Sequence, residues 1–207
     1  MSNSDTWFPK WDDIPAAIGL LSRLPVRVET QQAQARGPHP SWAYGLAGAL
    51  LGALAALAAW AGLVLGLPSL AIGLLVVGTT AWVTGAMHYD GLADSLDGLW
   101  GGWSPKQRLD IMKDSHIGVY GVVGLTCILG LQATLYGQLA AQSLWPILGV
   151  MALSRAMMVP LMTALPNARG KGLSASVGRP APHPASLALA LGAAVAALSG
   201  AWPALIE

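Results

Sequence analysis

Three stretches of this 207-residue chain hold no Asp, Glu, Lys or Arg: Gly37 to Tyr89, Ser115 to Ser154, and Pro180 to Ile206. A bilayer span needs about 20 mainly apolar residues. The first stretch has room for two spans, with Gly66-Leu67-Pro68-Ser69 as the turn between them. The pattern predicts helices near 42–66, 70–88, 117–140, 144–165 and 185–206, with Gln142-Ser143 as a second turn. Composition agrees, since 54% of the residues are hydrophobic and only 10% charged. A soluble domain averages about 25% charged residues. So few charges would leave large apolar patches on a water-facing surface, and the apolar content excludes disorder. The expected fold is all-α: one polytopic integral membrane bundle over 1–207, with about five transmembrane helices and short cytoplasmic helices.

The basic residues test this span count. Lys10, Arg23, Arg27 and Arg36 precede the first span. Lys106, Arg108 and Lys113 fall in the 89–116 loop, and Arg169, Lys171 and Arg179 in the 166–183 loop. Five spans put all of these on one side, which the positive-inside rule makes cytoplasmic. The expected topology has 1–41 as a cytoplasmic or interfacial segment and 89–116 facing the cytoplasm. Trp42, Trp60, Trp145 and Trp202 fall near predicted span ends, as an aromatic belt requires. The spacings Gly45, Gly48, Gly52 and Gly118, Gly121, Gly124 suit close helix packing. The single Cys127 excludes an intrachain disulfide and reads as a small buried hydrophobe. A net charge of +1 gives no nucleic-acid footprint.

Half of the acids crowd into one segment: Asp90, Asp94, Asp97, Asp110 and Asp114. If the second span continues as helix, positions 90, 94 and 97 share a face. They would then lie at a helix C-terminus, where the macrodipole disfavours anions, so a cation is needed there. Ser104-Pro105-Lys106-Gln107 reads as a helix start, with Ser at the N-cap and Pro first inside. A helix from 105 to about 114 would put Asp110 and Asp114 on one face. Carboxylates without His or Cys ligands suit Mg²⁺ or Mn²⁺, and Mg²⁺ takes one or two of them plus water and substrate phosphates. That chemistry points to phosphoryl transfer.

Cations for a phosphate are also present. Arg155 lies inside a predicted span, where a guanidinium is costly and faces the protein interior or a wet cavity. Arg169-Gly170-Lys171-Gly172 can cradle a phosphate, although it lacks the Ser or Thr of a P-loop. Lys113, Ser115, His116 and His88 flank the acids and complete the candidate phosphate-binding set.

The run His88-Tyr89-Asp90-Gly91-Leu92-Ala93-Asp94-Ser95-Leu96-Asp97-Gly98, followed by Ile111-Met112-Lys113-Asp114-Ser115-His116-Ile117-Gly118-Val119-Tyr120-Gly121, closely resembles the cobalamin synthase family of adenosylcobinamide-GDP ribazoletransferases. Leu20-Leu21-Ser22-Arg23-Leu24-Pro25-Val26, the Arg155 span and Leu165-Pro166-Asn167-Ala168-Arg169 are similar to further family segments. His116 stands where many members have Arg. The resemblance implies a membrane enzyme that joins adenosylcobinamide-GDP to α-ribazole, or its 5′-phosphate, and releases GMP. It implies an enzyme of the cytoplasmic (inner) membrane of a prokaryote that uses Mg²⁺, with the family's metal-binding acids mapping onto Asp90, Asp94, Asp97 and Asp114; our own reading of the residues adds Asp114 or Asp110 as candidate general base. Its partners would be these substrates and the bilayer; a homo-oligomer and other late cobalamin-assembly enzymes are compatible with it. Asp94-x2-Asp97-Gly98 and Asp110-x3-Asp114 also look like the pattern of CDP-alcohol phosphotransferases, a rival enzyme class. An ion or metal transporter is the non-enzyme rival.

Overall fold

The computed structural model describes residues 7–200. Among them every regular element is helical, and they fall into two compact units. The first contains residues up to Ala53 and from Trp145 onward; the second runs from Leu54 to Leu144.

In the first unit, α1 (Asp13–Leu21) and α2 (Thr30–Arg36) precede a 3₁₀ turn, His39–Ala43. The turn leads into α3 (Tyr44–Val64), which begins in this unit and ends in the next. Helices α8 (Trp145–Ala156), α9 (Met158–Ala164), α10 (Leu173–Val177) and α11 (Pro182–Leu198) complete the unit. The expected close packing at Gly45, Gly48 and Gly52 is present. A Cβ on Gly48 would run into the Met151 carbonyl, one on Gly52 into the Leu148 backbone, and one on Gly45 against Gly192 of α11. These absences let helix backbones touch, which is how apolar helices gain contact where lipid offers no hydrophobic drive.

The second unit holds α4 (Ser69–Thr84), α5 (Met87–Gly101), α6 (Pro105–Ile111) and α7 (Val119–Gln142). Helix α4 lies on α7 through Gly73 against the Ala133 backbone and Gly137 against the Ser69 backbone. The predicted second span does not continue through the acids. It ends at Thr84, and α5 leaves at 95° to it. Gly85 is left-handed at φ 64°, and Ala86 is the single non-glycine residue with positive φ among the described residues, at 58°. The Ala86 N–H reaches the Ala81 carbonyl at 2.7 Å, closing a Schellman-type stop. Asp90 therefore sits in the first turn of α5, where the macrodipole favours an anion, and not at a helix C-terminus.

The span count also changes. His39–Val64, Val119–Gln142 and Trp145–Ala164 are long and apolar enough to cross a membrane, and the bent pair of α4 and α5 would make a fourth. Sixteen residues of α4 reach only about 24 Å, short of the roughly 30 Å hydrocarbon core. Helix α11 has 17 residues and ends at Leu198, and residues 201–206 of the predicted 185–206 span lie outside the described residues. Trp60 and Trp145 are exposed, as belt residues are, whereas Trp42 is buried; Trp202 lies outside the described residues. Cys127 is exposed on α7 and is not a core residue, because little of that span is covered within the chain.

Candidate active site

A cavity of about 490 Å³ opens in the second unit. Tyr89, Asp90, Ala93 and Asp94 of α5 line one part of it, and Met112 to Ile117, the connector into α7, line another. Leu125 and Ala86 close it. The structure thus brings together Asp90, Asp94, Lys113, Asp114, Ser115 and His116 from the sequence-derived set.

Local chemistry explains this placement. Asp90 and Asp94 are one helical turn apart on α5 and so point to one side. Helix α6 starts as its sequence predicts: the Gln107 N–H donates to the Ser104 hydroxyl at 3.3 Å, and the Gln107 side-chain oxygen accepts from the Trp103 N–H at 3.0 Å. It stops earlier than expected, at Ile111, so Asp110 and Asp114 do not share a helix face. The Asp114 carboxylate accepts from the His116 backbone N–H at 3.2 Å, a local turn that competes with continued helix. The same oxygen meets His116 Nδ1 at 2.7 Å. This side-chain bond, reinforced by the backbone one, pulls the Asp114 pKa down. It raises that of His116 in turn.

Three predicted residues of this unit lie elsewhere. Asp110 stands 4.0 Å from Lys113 Nζ, with both side chains well exposed, outside the cavity lining. His88 is half-buried in the first turn of α5 and is not part of the lining. Asp97 is buried, and its two carboxylate oxygens accept from the Gly118 N–H at 2.8 Å and the Gly121 N–H at 2.9 Å. A second tie between the same helices is the Tyr89 hydroxyl, which donates to the Gln132 side-chain oxygen at 2.9 Å. The Gly118, Gly121 and Gly124 spacing packs helices as expected, with Leu96 seated against Gly124.

Arg155, Arg169 and Lys171 belong to the first unit. Arg155 is half-buried in the last turn of α8, with Nη1 donating to the Ser154 hydroxyl at 3.1 Å. Arg169 and Lys171 lie in the loop between α9 and α10.

The donor set suits the Mg²⁺ that the family resemblance implies. No three His, Cys, Asp or Glu side chains among the described residues are already gathered as a metal cage. Mg²⁺ does not ask for one, because one or two carboxylates suffice when water and phosphate oxygens complete its octahedron. Asp90 and Asp94 at the edge of this cavity fit that pattern.

Residues 13–206 match the family model described as cobalamin-5-phosphate synthase. This chain belongs to the cobalamin-5-phosphate synthase family. An adenosylcobinamide-GDP ribazoletransferase of Brucella anthropi is 40% identical over 174 residues, covering 81% of this chain and 67% of that protein. Proteins of the same description from Brucella canis and Brucella suis are 38% identical over 205 residues, 94% of this chain and 79% of theirs. No solved structure matches this cobalamin-5-phosphate synthase family member.

Sequence reasoning missed one polar centre of the family member, in the first unit. Asp13 is 1% exposed and accepts from Arg36 Nε at 2.5 Å, Arg36 Nη2 at 2.7 Å, Trp42 Nε1 at 2.8 Å and the Lys10 N–H at 3.0 Å. The bonded residues are 23 and 29 positions apart, so no local spacing announces the centre.

Proposed function

We propose that this chain is an adenosylcobinamide-GDP ribazoletransferase of cobalamin biosynthesis, acting at the cytoplasmic face of the inner membrane with Mg²⁺. The observation that carries the reading is the cavity of the second unit, where Asp90, Asp94 and Asp114 of the family's motif converge beside Lys113 and His116. The resemblance to ribazoletransferases over most of the chain supports the substrates.

In this mechanism Asp90 and Asp94 would hold the metal. A bound Mg²⁺ would supply charge neutralisation for the diphosphate of adenosylcobinamide-GDP and so a more electrophilic phosphorus. Lys113 and His116 bring positive charge to the same cavity and orient the phosphates. A ribose hydroxyl oxygen of α-ribazole, one that stays free in the 5′-phosphate as well, forms a bond to the phosphorus that carries cobinamide, and the bond from that phosphorus to the GMP oxygen breaks. Asp114, which lines the cavity and is not assigned to the metal, is the candidate carboxylate to take the hydroxyl proton. Asp110, facing Lys113 outside the lining, is the weaker candidate. Arg155, Arg169 and Lys171 remain candidates for phosphate charge on the first unit.

The rival readings lose support from the same geometry. The CDP-alcohol phosphotransferase comparison needs Asp110 and Asp114 on one helix, and α6 ends at Ile111. A transport path needs acids along several spans, whereas these acids lie on α5, on the short α6 and in the loop before α7.

The experiment is purified protein in lipid nanodiscs supplied with adenosylcobinamide-GDP, α-ribazole and Mg²⁺. Cobalamin and GMP should appear together, stop with EDTA and resume with added Mg²⁺. Absence of both products, with CMP released from a CDP-alcohol instead, would sink the reading. Parallel use of α-ribazole 5′-phosphate tells which acceptor is preferred.

A further inference from the structure

Asp97 belongs to the same D-x6-D pattern as Asp90 and to the same D-x2-D step as Asp94, yet its surroundings differ from theirs. Asp90 is exposed, Asp94 is half-buried, and both line the cavity. Asp97 is 9% exposed and absent from the lining. Both of its oxygens are engaged by backbone donors of the first turn of α7, Gly118 and Gly121. Gly118 is the N-cap residue of α7, and its own position offers no side-chain cap. Such a helix start leaves up to four N–H groups without an intrahelical partner. Asp97 supplies the missing acceptors from a separate helix, and its negative charge is favoured by the positive end of the dipole.

The glycines complete the argument. A Cβ on Gly118 or on Gly121 would collide with the Asp97 carboxylate. The first turn of α7 is therefore shaped around this side chain, which leaves Asp97 no direction toward the cavity while these bonds hold. Tyr89 fastens the other end of the carboxylate-bearing stretch of α5 to Gln132 of α7. Asp90 and Asp94 sit between these two fastenings. The connector carrying Lys113 to His116 runs straight into the turn that Asp97 caps.

We propose that Asp97 is a positioning residue and not a metal ligand: it caps α7 from α5 and so fixes Asp90 and Asp94 against the Lys113–His116 connector. The proposal rests on the reading of the cavity as the phosphate-transfer site. It assigns Asp97 a task distinct from that of Asp94, although sequence spacing gives them equivalent positions. A misplacement of about 1 Å can cost roughly 100-fold in rate, so losing this cap should cost turnover without removing the metal's ligands.

The test compares Asp97→Asn, Asp94→Asn and Gly121→Ala in nanodiscs by three readouts: turnover, the Mg²⁺ concentration for half-maximal rate, and hydrogen exchange at residues 118–122. Asn keeps one acceptor oxygen and loses the charge, so the variant retains bulk while weakening the cap. Asp97→Asn should lower kcat by about 10- to 100-fold, leave the Mg²⁺ requirement within about twofold, and speed exchange at 118–122. Gly121→Ala should reproduce that pattern from the other side of the contact. Asp94→Asn should raise the Mg²⁺ requirement or abolish turnover while exchange at 118–122 stays slow. A raised Mg²⁺ requirement in Asp97→Asn with unchanged exchange would overturn the proposal and make Asp97 a ligand. Unchanged exchange with unchanged turnover would overturn it equally. If the wild-type chain transfers no ribazole, the functional reading fails by itself, and the exchange comparison still decides whether Asp97 caps α7.

Discussion

Two buried carboxylates, Asp13 in the first unit and Asp97 in the second, solve the same problem by different means. Asp13 meets a guanidinium, an indole N–H and one backbone N–H. Asp97 meets two backbone N–H groups at a helix start. Asp13 neutralises its charge on the spot, so its surroundings read as a closed structural joint. Asp97 leans on a helix dipole, so its joint has direction: it sets where one helix starts relative to another. The contrast teaches what to ask of the remaining acids. Asp90, Asp94 and Asp114 line a cavity with Lys113 and His116, and in the proposed function these acids meet charge that arrives with a ligand.

The largest effect should come from the cavity. Asp94→Asn should lower ribazole transfer by at least about 100- to 1,000-fold, the scale for losing one preorganised charge contact, with normal membrane insertion. Near-normal cobalamin formation would break the distinction between cavity acids and joint acids. Next comes Asp13→Asn, which leaves the half-buried Arg36 without its carboxylate. Stripping one partner from a buried pair costs about 3–5 kcal/mol, so a large drop in the thermal midpoint in nanodiscs is expected. An unchanged midpoint would mean that the joint is not structural.

Gly48→Ala should cost about 1–3 kcal/mol, because its Cβ would run into the Met151 carbonyl. Gly78→Ala, at a position with open space inside α4, is the control and should leave the melting midpoint unchanged or raise it, by up to about 1 kcal/mol of stability. Ala86→Gly should stabilise the second unit by roughly 1 kcal/mol, the cost of a left-handed non-glycine residue. A lower midpoint would show that the added chain entropy outweighs the relieved strain.

The smallest effect is in pH. Burial alone would raise the Asp13 pKa from 3.8, but the bonds from Arg36, Trp42 and the Lys10 N–H outweigh it and the net shift is downward. A lowered folded-state pKa means that the unfolded chain binds the proton more readily. The contribution is therefore whole above the unfolded value and fades as pH falls through the folded one. Acid unfolding curves of wild type and Asp13→Asn should stay apart down to about pH 4 and converge only below it, as the folded-state carboxylate takes up its proton; convergence already well above pH 4 would contradict the assignment.

Much of the local structure was legible in the chain. Ser104, Pro105 and Gln107 announced the start of α6 because capping is decided within four residues. Its end was not, because the Asp114 side chain chooses the His116 N–H over further helix. The bend at Gly85 and Ala86 was equally hidden, since an apolar helix pattern runs up to it without a proline. Trp42 looked like a belt residue by position and is instead a donor to Asp13.

The sequence by itself determined the membrane class, the acidic segment and the family motif. These follow from where charge is absent and from residue types at short spacing, which need no partner to be read. Only the tertiary structure decided what each acid faces. Asp94 and Asp97 are three residues apart, yet one meets a cavity and the other meets N–H groups 21 and 24 positions along the chain. The physical reason is that burying a carboxylate is tolerated only where donors converge on it, and here those donors are brought to it by the packing of α5 on α7.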